Sequence, residues 1–188
     1  MPVPAPSRRA LLLCLHNHQP VGNFDSVIEG AARDAYLPFL RTLADFPSVK
    51  ITIHFSGFLL RWLAERSPDT FSLLKLLSDR GQAEVLGGGM YEPILALLPE
   101  RDRLGQIEAF AAEVERFFGK TPEGIWLAER VWEPSLPRPL HQAGVEWTVV
   151  DDIHFKMVGL EEGDLLGYRL TEEEENQESW LVYLAACK

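Results

Sequence analysis

Gly124-Ile125-Trp126-Leu127-Ala128-Glu129-Arg130-Val131-Trp132-Glu133-Pro134 begins as an apolar run and turns abruptly polar. A short apolar run closed by proline predicts a buried parallel strand that delivers side chains into the loop beyond its C-terminal end. Open α/β sheets and α/β barrels bind their ligands at that end. Glu129 stands between Trp126 and Trp132, and indole faces beside a carboxylate suit a sugar, whose C–H faces stack on the rings while its hydroxyls seek charged acceptors. The plainer alternative makes both tryptophans core residues and Glu129 the partner of Arg130 or another arginine.

On both sides of this stretch the same unit recurs: an apolar strand-like run, a polar or glycine-rich motif, then an amphipathic helical stretch. The runs are Ala10–Leu15, Val49–Phe55, Ala83–Leu86, Gly124–Leu127 and Trp147–Val150. They end in His16-Asn17-His18-Gln19-Pro20, His54-Phe55-Ser56-Gly57, Gly87-Gly88-Gly89-Met90-Tyr91-Glu92-Pro93, the Glu129 loop, and Asp151-Asp152-Ile153-His154-Phe155. This alternation predicts an α/β fold with a parallel sheet. Helices are predicted over Asp34–Asp45, Phe58–Glu65, Pro68–Arg80, Arg101–Phe118 and Ser135–Ala143. In Arg101–Phe118 the residues Leu104, Ile107, Ala111, Val114 and Phe118 form one apolar stripe, and Gly119 supplies the stop. Strands that each close on a polar motif gather those motifs on one rim.

The rim holds carboxylates, imidazoles and aromatic platforms. The Gly87–Gly89 triplet lacks the spacing and the lysine of a phosphate loop and is read as a sharp turn that aims Tyr91 and Glu92 at the pocket. Glu92 and Glu129 first suggest the acid and nucleophile of a glycosidase, with Asp151 and Asp152 as rivals. His16 and His18, two apart at a strand end, point the same way. That spacing leaves three readings open: hydrogen bonds to sugar hydroxyls, ligation of Zn²⁺ with a rim Asp as in a metal-dependent deacetylase, or imidazoles satisfied by backbone. His54 and His154 are rim residues without an assigned role, and His141 falls on a helix surface.

Bulk properties narrow the classes. The chain of 188 residues makes one domain but falls short of a complete large barrel, which needs about 250. A net charge of -10 argues against nucleic acid or an anionic membrane as partner. Two cysteines, Cys14 and Cys187, give no disulfide framework. The apolar run after Arg8-Arg9 is too short for a signal peptide, no stretch is long enough to span a membrane, and the reading is of a cytoplasmic protein whose first nine residues are disordered.

The motifs His16–Pro20, Gly87–Pro93, Trp126–Pro134 and Val149–Phe155 resemble, in order and spacing, those of glycoside hydrolase family 57, in its 4-α-glucanotransferase and α-amylase branch. The resemblance runs from about Leu11 to about Glu174. It implies the N-terminal part, about five βα units, of a seven-stranded (β/α) barrel that cleaves or transfers α-1,4-glucan chains with retention of configuration, using no metal and no cofactor. Glu129 matches the nucleophile, while His16, His18, Glu92 and Trp126 match residues lining the subsite of the attacked glucose. Asp151 and Asp152 match a rim motif that is not the general acid, so the resemblance replaces the pairing of Glu129 with Glu92 or either aspartate. The family's acid/base is an Asp in a later motif. The expectation is therefore a partial barrel over 10–175, truncated or frameshifted, with a divergent tail over 176–188 and no turnover by this chain alone. The alternatives are a Zn-dependent polysaccharide deacetylase-like enzyme and a non-catalytic glucan-binding remnant.

Overall fold

The computed structural model describes residues 11–159 and the backbone of a strand over 181–185. The expectations for residues 1–9, for 160–175 and for the remainder of the tail lie outside the described residues. Six strands alternate with helices: β1 Cys14–Asn17, β2 Ile51–Phe55, β3 Ala83–Val85, β4 Gly124–Ile125, β5 Trp147–Asp151 and β6 Leu181–Ala185. Strands β2 to β5 fall on the predicted apolar runs, whereas β1 overlaps its run only at Cys14 and Leu15 and extends through His16 and Asn17. The sixth falls within the stretch expected to diverge and pairs parallel with β5 from Trp147↔Leu181 to Asp151↔Ala185.

Every pairing is parallel and the strand order follows the chain, the arrangement of a (β/α) barrel wall. The strands form two three-stranded sheets, β1-β2-β3 and β4-β5-β6. Among the described residues a single parallel bridge, Gly87↔Ile125, joins them. There the Gly87 amide donates to the Gly124 carbonyl at 2.9 Å and the Trp126 amide to the Gly87 carbonyl at 3.0 Å.

The helices follow local sequence. Helix α1 (Asp25–Ala31) runs through a π-helical turn, Ala32–Tyr36, into α2 (Leu37–Asp45), so the helical stretch starts earlier than the predicted Asp34. Helix α3 (Gly57–Arg66) is capped by the Ser56 hydroxyl, which accepts from the Leu59 amide, satisfying one of the orphan donors of its first turn. Helix α4 (Pro68–Asp79) opens on proline, whose missing N–H would be unbonded there in any case. The shorter α6 (Pro137–Gln142) and the single turn α7 (Ile153–Lys156) flank β5 in sequence.

Helix α5 (Glu100–Phe118) ends at Gly119, which takes φ 70°. Its buried face differs from the predicted stripe: Arg103 and Phe110 are buried with Ile107, Val114 and Phe118, whereas Leu104 and Ala111 lie at the margin. Arg103 explains the rotation. Its guanidinium donates to the carbonyls of Leu95 (2.9 Å) and Leu98 (3.2 Å), capping the turn Leu95–Leu97, and a buried charge is tolerated when so bonded. The face then serves both halves of the sheet. Phe110, Val114 and Phe118 pack with Ile53, Phe55, Leu59, Leu63 and Leu77, and Ile107 packs with Ile125, Leu127, Leu140 and Val150. Each such side chain, fully buried, contributes roughly 1.5–3 kcal/mol.

Candidate active site

The site lies beyond the C-terminal ends of β1 to β5. In parallel register His16 on β1 stands opposite His54 on β2. Ile51, Ile53 and Phe55 point to the helices, so the intervening Thr52 and His54 share the face of Cys14 and His16. The two imidazoles meet with their Nδ1 atoms 2.9 Å apart. His54 is wholly buried, with Phe110 edge-on to its ring at 5.7 Å. His18, just past β1, lies parallel to His16 with ring centroids 6.0 Å apart, as the spacing predicts.

Glu92 joins the two. Its carboxylate, 6% exposed, lies 3.2 Å from His16 Nε2 and hydrogen-bonds His18 Nδ1. The Gly87–Gly89 triplet brings it there by a means other than the expected turn. None of the three glycines has positive φ; the left-handed residue is Glu92 itself, at φ 52°. The glycines are needed for room. A methyl on Gly88 would lie 3.0 Å from the Trp126 carbonyl oxygen and 3.1 Å from His54 Nε2, and one on Gly89 would lie 2.6 Å from Pro93 Cδ.

Trp126, at the end of β4, stacks on His16 at 4.4 Å and 11°. The chain then enters a single 3-10 turn in which Glu129 takes φ 53°, ψ 13° and Arg130 takes φ 52°. Glu92, Glu129 and Arg130 are the three non-glycine residues with positive φ among the described residues. That conformation costs an L-residue roughly 1–3 kcal/mol and persists where surrounding structure over-determines it, most often at functional sites.

Arg130 bonds Asp151, Nε to Oδ1 at 2.6 Å, and Lys156 holds Asp152 at 2.6 Å. The alternative in which Arg130 neutralises Glu129 is thereby set aside. Among the described residues no hydrogen bond or ion pair reaches the Glu129 carboxylate. His154, on α7, has no hydrogen bond or ring contact with the cluster among the described residues.

The electrostatics follow from burial. Desolvation pushes the Glu92 carboxyl up, the hydrogen bond from His18 opposes it, and the charge of Glu129 adds to the rise. His16 is lowered to about 4, first by desolvation and then by the charges of His18 and Arg130. Burial holds His54 well below the usual imidazole range. Both rings are therefore neutral at pH 7, each with one N–H and one acceptor nitrogen, a donor–acceptor set suited to neutral hydroxyls. Among the described residues, the indole N–H of Trp126 and Nε2 of His54 are buried without hydrogen-bond partners. His16, His18 and Glu92 could also hold a cation, since one ligand atom from each lies within 4.8 Å of the others. The third member is Glu92 and not the rim Asp expected, because both aspartates are engaged by cations of the chain.

The site thus brings together His16, His18, Glu92 and Trp126 and sets Glu129 beside them, near enough for its charge to act on Glu92. His54 was a rim residue without an assigned role, and the pairing of Arg130 with Asp151 was not expected. The alternation along β2 together with parallel pairing was the signal that would have placed His54 against His16.

Comparisons with known proteins bear on the fold and the family. The chain is 51% identical over 162 residues to alpha-amylase 1 of Dictyoglomus thermophilum, covering 86% of this chain and 24% of that protein. It is 46% identical over 159 residues to the 4-alpha-glucanotransferase of Thermococcus litoralis, covering 85% of this chain and 24% of that protein. The crystal structure of 4-alpha-glucanotransferase from Thermococcus litoralis superposes with a TM-score of 0.84 at 43% identity, over 92% of this chain and 27% of that one. The chain therefore spans about a quarter of the length of the relatives it matches. The family model described as glycosyl hydrolase family 57 matches residues 12–184, past the Glu174 at which the motif resemblance ends and through most of β6, and the chain belongs to that family.

Proposed function

We propose that the chain is the N-terminal part of a retaining α-glucan-active barrel enzyme, a 4-α-glucanotransferase or α-amylase, with Glu129 as nucleophile. The observation that carries this is the backbone of Glu129. A left-handed backbone at a strand's C-terminal end, with no partner for the carboxylate among the described residues, supports a reacting role over a packing one. The names of the relatives at 51% and 46% identity support the substrate class.

In this reading the Glu129 carboxylate attacks the anomeric carbon, the glycosidic C–O bond breaks, and the leaving oxygen takes a proton from an acid. A second oxygen nucleophile, from water or from a sugar hydroxyl, then displaces Glu129. The acid/base is the Asp that the family resemblance places in a later motif. His16, His18 and Glu92 hold hydroxyls of the attacked glucose, and the neutral His16 ring suits an uncharged ligand. Trp126 backs His16 from below. The reading needs no metal or cofactor, involves no nucleic acid or membrane, and keeps the cytoplasmic location expected from the sequence; among the described residues no helix is long and apolar enough to cross a membrane.

The test is Glu129→Gln in the protein continued to the length of its relatives. Turnover should fall roughly 10⁴-fold or more while malto-oligosaccharide binding stays within a few-fold. Trapping with a slow fluorinated α-glucosyl donor and peptide mass mapping should find the adduct on Glu129. An adduct on another carboxylate, or retained turnover, overturns the assignment.

A further inference from the structure

We propose that His54 is a positioning residue: its Nδ1–H donates to His16 Nδ1 and so fixes the His16 proton on Nε2, facing Glu92 and the bound sugar. The inference rests on the reading of His16 as a sugar-facing group, but the hydrogen-bond direction is argued independently of it.

Two Nδ1 atoms at 2.9 Å must share one proton, because two lone pairs or two N–H groups at that distance repel. That leaves two directions. If His16 donated, its Nε2 would present a lone pair to Glu92 Oε1 at 3.2 Å, which is repulsive unless Glu92 carries a proton. His54 would then bear its own proton on Nε2, an atom buried with no partner, and an orphaned buried N–H is the rarer and costlier defect. If His54 donates, every contact is matched. His16 Nε2–H donates to Glu92 Oε1, His18 donates to the other carboxylate oxygen, and the leftover atom on His54 is a bare lone pair.

The surroundings of that lone pair agree. A methyl on Gly88 would come to 3.1 Å from His54 Nε2, so the glycine leaves this atom uncrowded on that side. His54 is itself a fixed post. It is wholly buried, Phe110 lies edge-on to it, and Asn17 Nδ2 donates to its carbonyl at 3.1 Å. His16 adjoins this ring at 5.0 Å and stacks on Trp126 at 4.4 Å, so the indole sets its plane and His54 its tautomer. A neutral imidazole in water exchanges its proton between the two nitrogens; here one nitrogen is permanently a donor. A sugar hydroxyl that displaces the His16–Glu92 contact and bridges the two must accept from the first and donate to the second, a polarity that selects one hydroxyl orientation.

The experiment is ¹⁵N NMR of the chain's imidazoles, recorded without sugar. In the wild type His16 should be found as the Nε2–H form and His54 as the Nδ1–H form, with a through-hydrogen-bond ¹⁵N–¹⁵N coupling between the two Nδ1 atoms. His54→Asn keeps an N–H at the Nδ1 position and should preserve the His16 tautomer. His54→Leu fills the space without a donor and should leave His16 as a mixture of tautomers, with malto-oligosaccharide affinity reduced several-fold and restored in His54→Asn. A wild-type His16 protonated on Nδ1, or a tautomer unmoved in His54→Leu, overturns the proposal. Should the variants not fold, the wild-type coupling and shifts decide alone. A tautomer that responds as described in a chain that binds no malto-oligosaccharide would uphold the positioning role and instead refute the glucan reading.

Discussion

Gly88→Ala tests the packing that brings the two halves of the site together. Gly88 has ordinary backbone angles, so alanine is not excluded by conformation, only by space. The new methyl would meet the Trp126 carbonyl oxygen at 3.0 Å and His54 Nε2 at 3.1 Å, several tenths of an ångström inside ordinary contact. Neither neighbour can yield cheaply: the carbonyl belongs to the backbone at the end of β4, and His54 is wholly buried. Overpacking of this kind costs about 1–3 kcal/mol. The loss of chain entropy in the unfolded state returns about 0.4–1 kcal/mol. The net expectation is destabilisation by about 0.5–2 kcal/mol. Gly105→Ala is the internal control. It lies inside α5 with nothing within 4 Å of the added methyl, and it should stabilise by about 0.5–1 kcal/mol. Urea unfolding followed by far-UV circular dichroism, with m-values compared, measures both. A Gly88→Ala chain as stable as wild type, alongside a normal response at Gly105, would refute the argument that this glycine is required for close approach.

Acid should loosen the site through the histidines. For His16, lowered from 6.5 to about 4, the stabilising contribution is complete above pH 6.5 and is lost as pH falls toward 4, because the unfolded ring takes up the proton first. Discounted for the 27% of the side chain left in water, the loss is about 1–2 kcal/mol. His54 acts in the same direction, whereas the raised Glu92 acts oppositely, favouring the folded state as it gains its proton. Urea unfolding at pH 7 and pH 4.5 should show a smaller acid loss in His16→Asn than in wild type, and parallel losses would contradict the assigned burial effect. Chelation provides the remaining test: treatment with EDTA should leave malto-oligosaccharide affinity unchanged, and a loss restored by Zn²⁺ would make His16, His18 and Glu92 a metal site.

The strands were legible because each is a short apolar run bounded by chemistry-bearing residues, and parallel order followed from the intervening helices. The His16/His18 pair was legible from a spacing of two. Less so was α5, where the stripe rule assigns Leu104 to the buried face; Arg103 takes that place because its bonds to the carbonyls of Leu95 and Leu98 outweigh the preference of an arginine for water. The start of α1 was obscured by Gly30 and by exposed Phe24 and Val27, which blur the apolar period. Left-handed backbone at Glu92, Glu129 and Arg130 has no signature in residue type, since nothing about glutamate or arginine favours it. Local sequence suggests that the glycines make the turn, and tertiary packing assigns them to clearance instead.

The single bridge between Gly87 and Ile125 has a mechanical consequence. Glu92 is carried by the half built on β1–β3 and Glu129 by the half built on β4–β6, so the spacing of the two carboxylates is a property of the seam, not of either sheet. Two backbone hydrogen bonds and the shared face of α5 set it. A change that shifts α5 by a fraction of an ångström would alter the reach of the nucleophile to a sugar held by Glu92 while leaving every residue of the site in place.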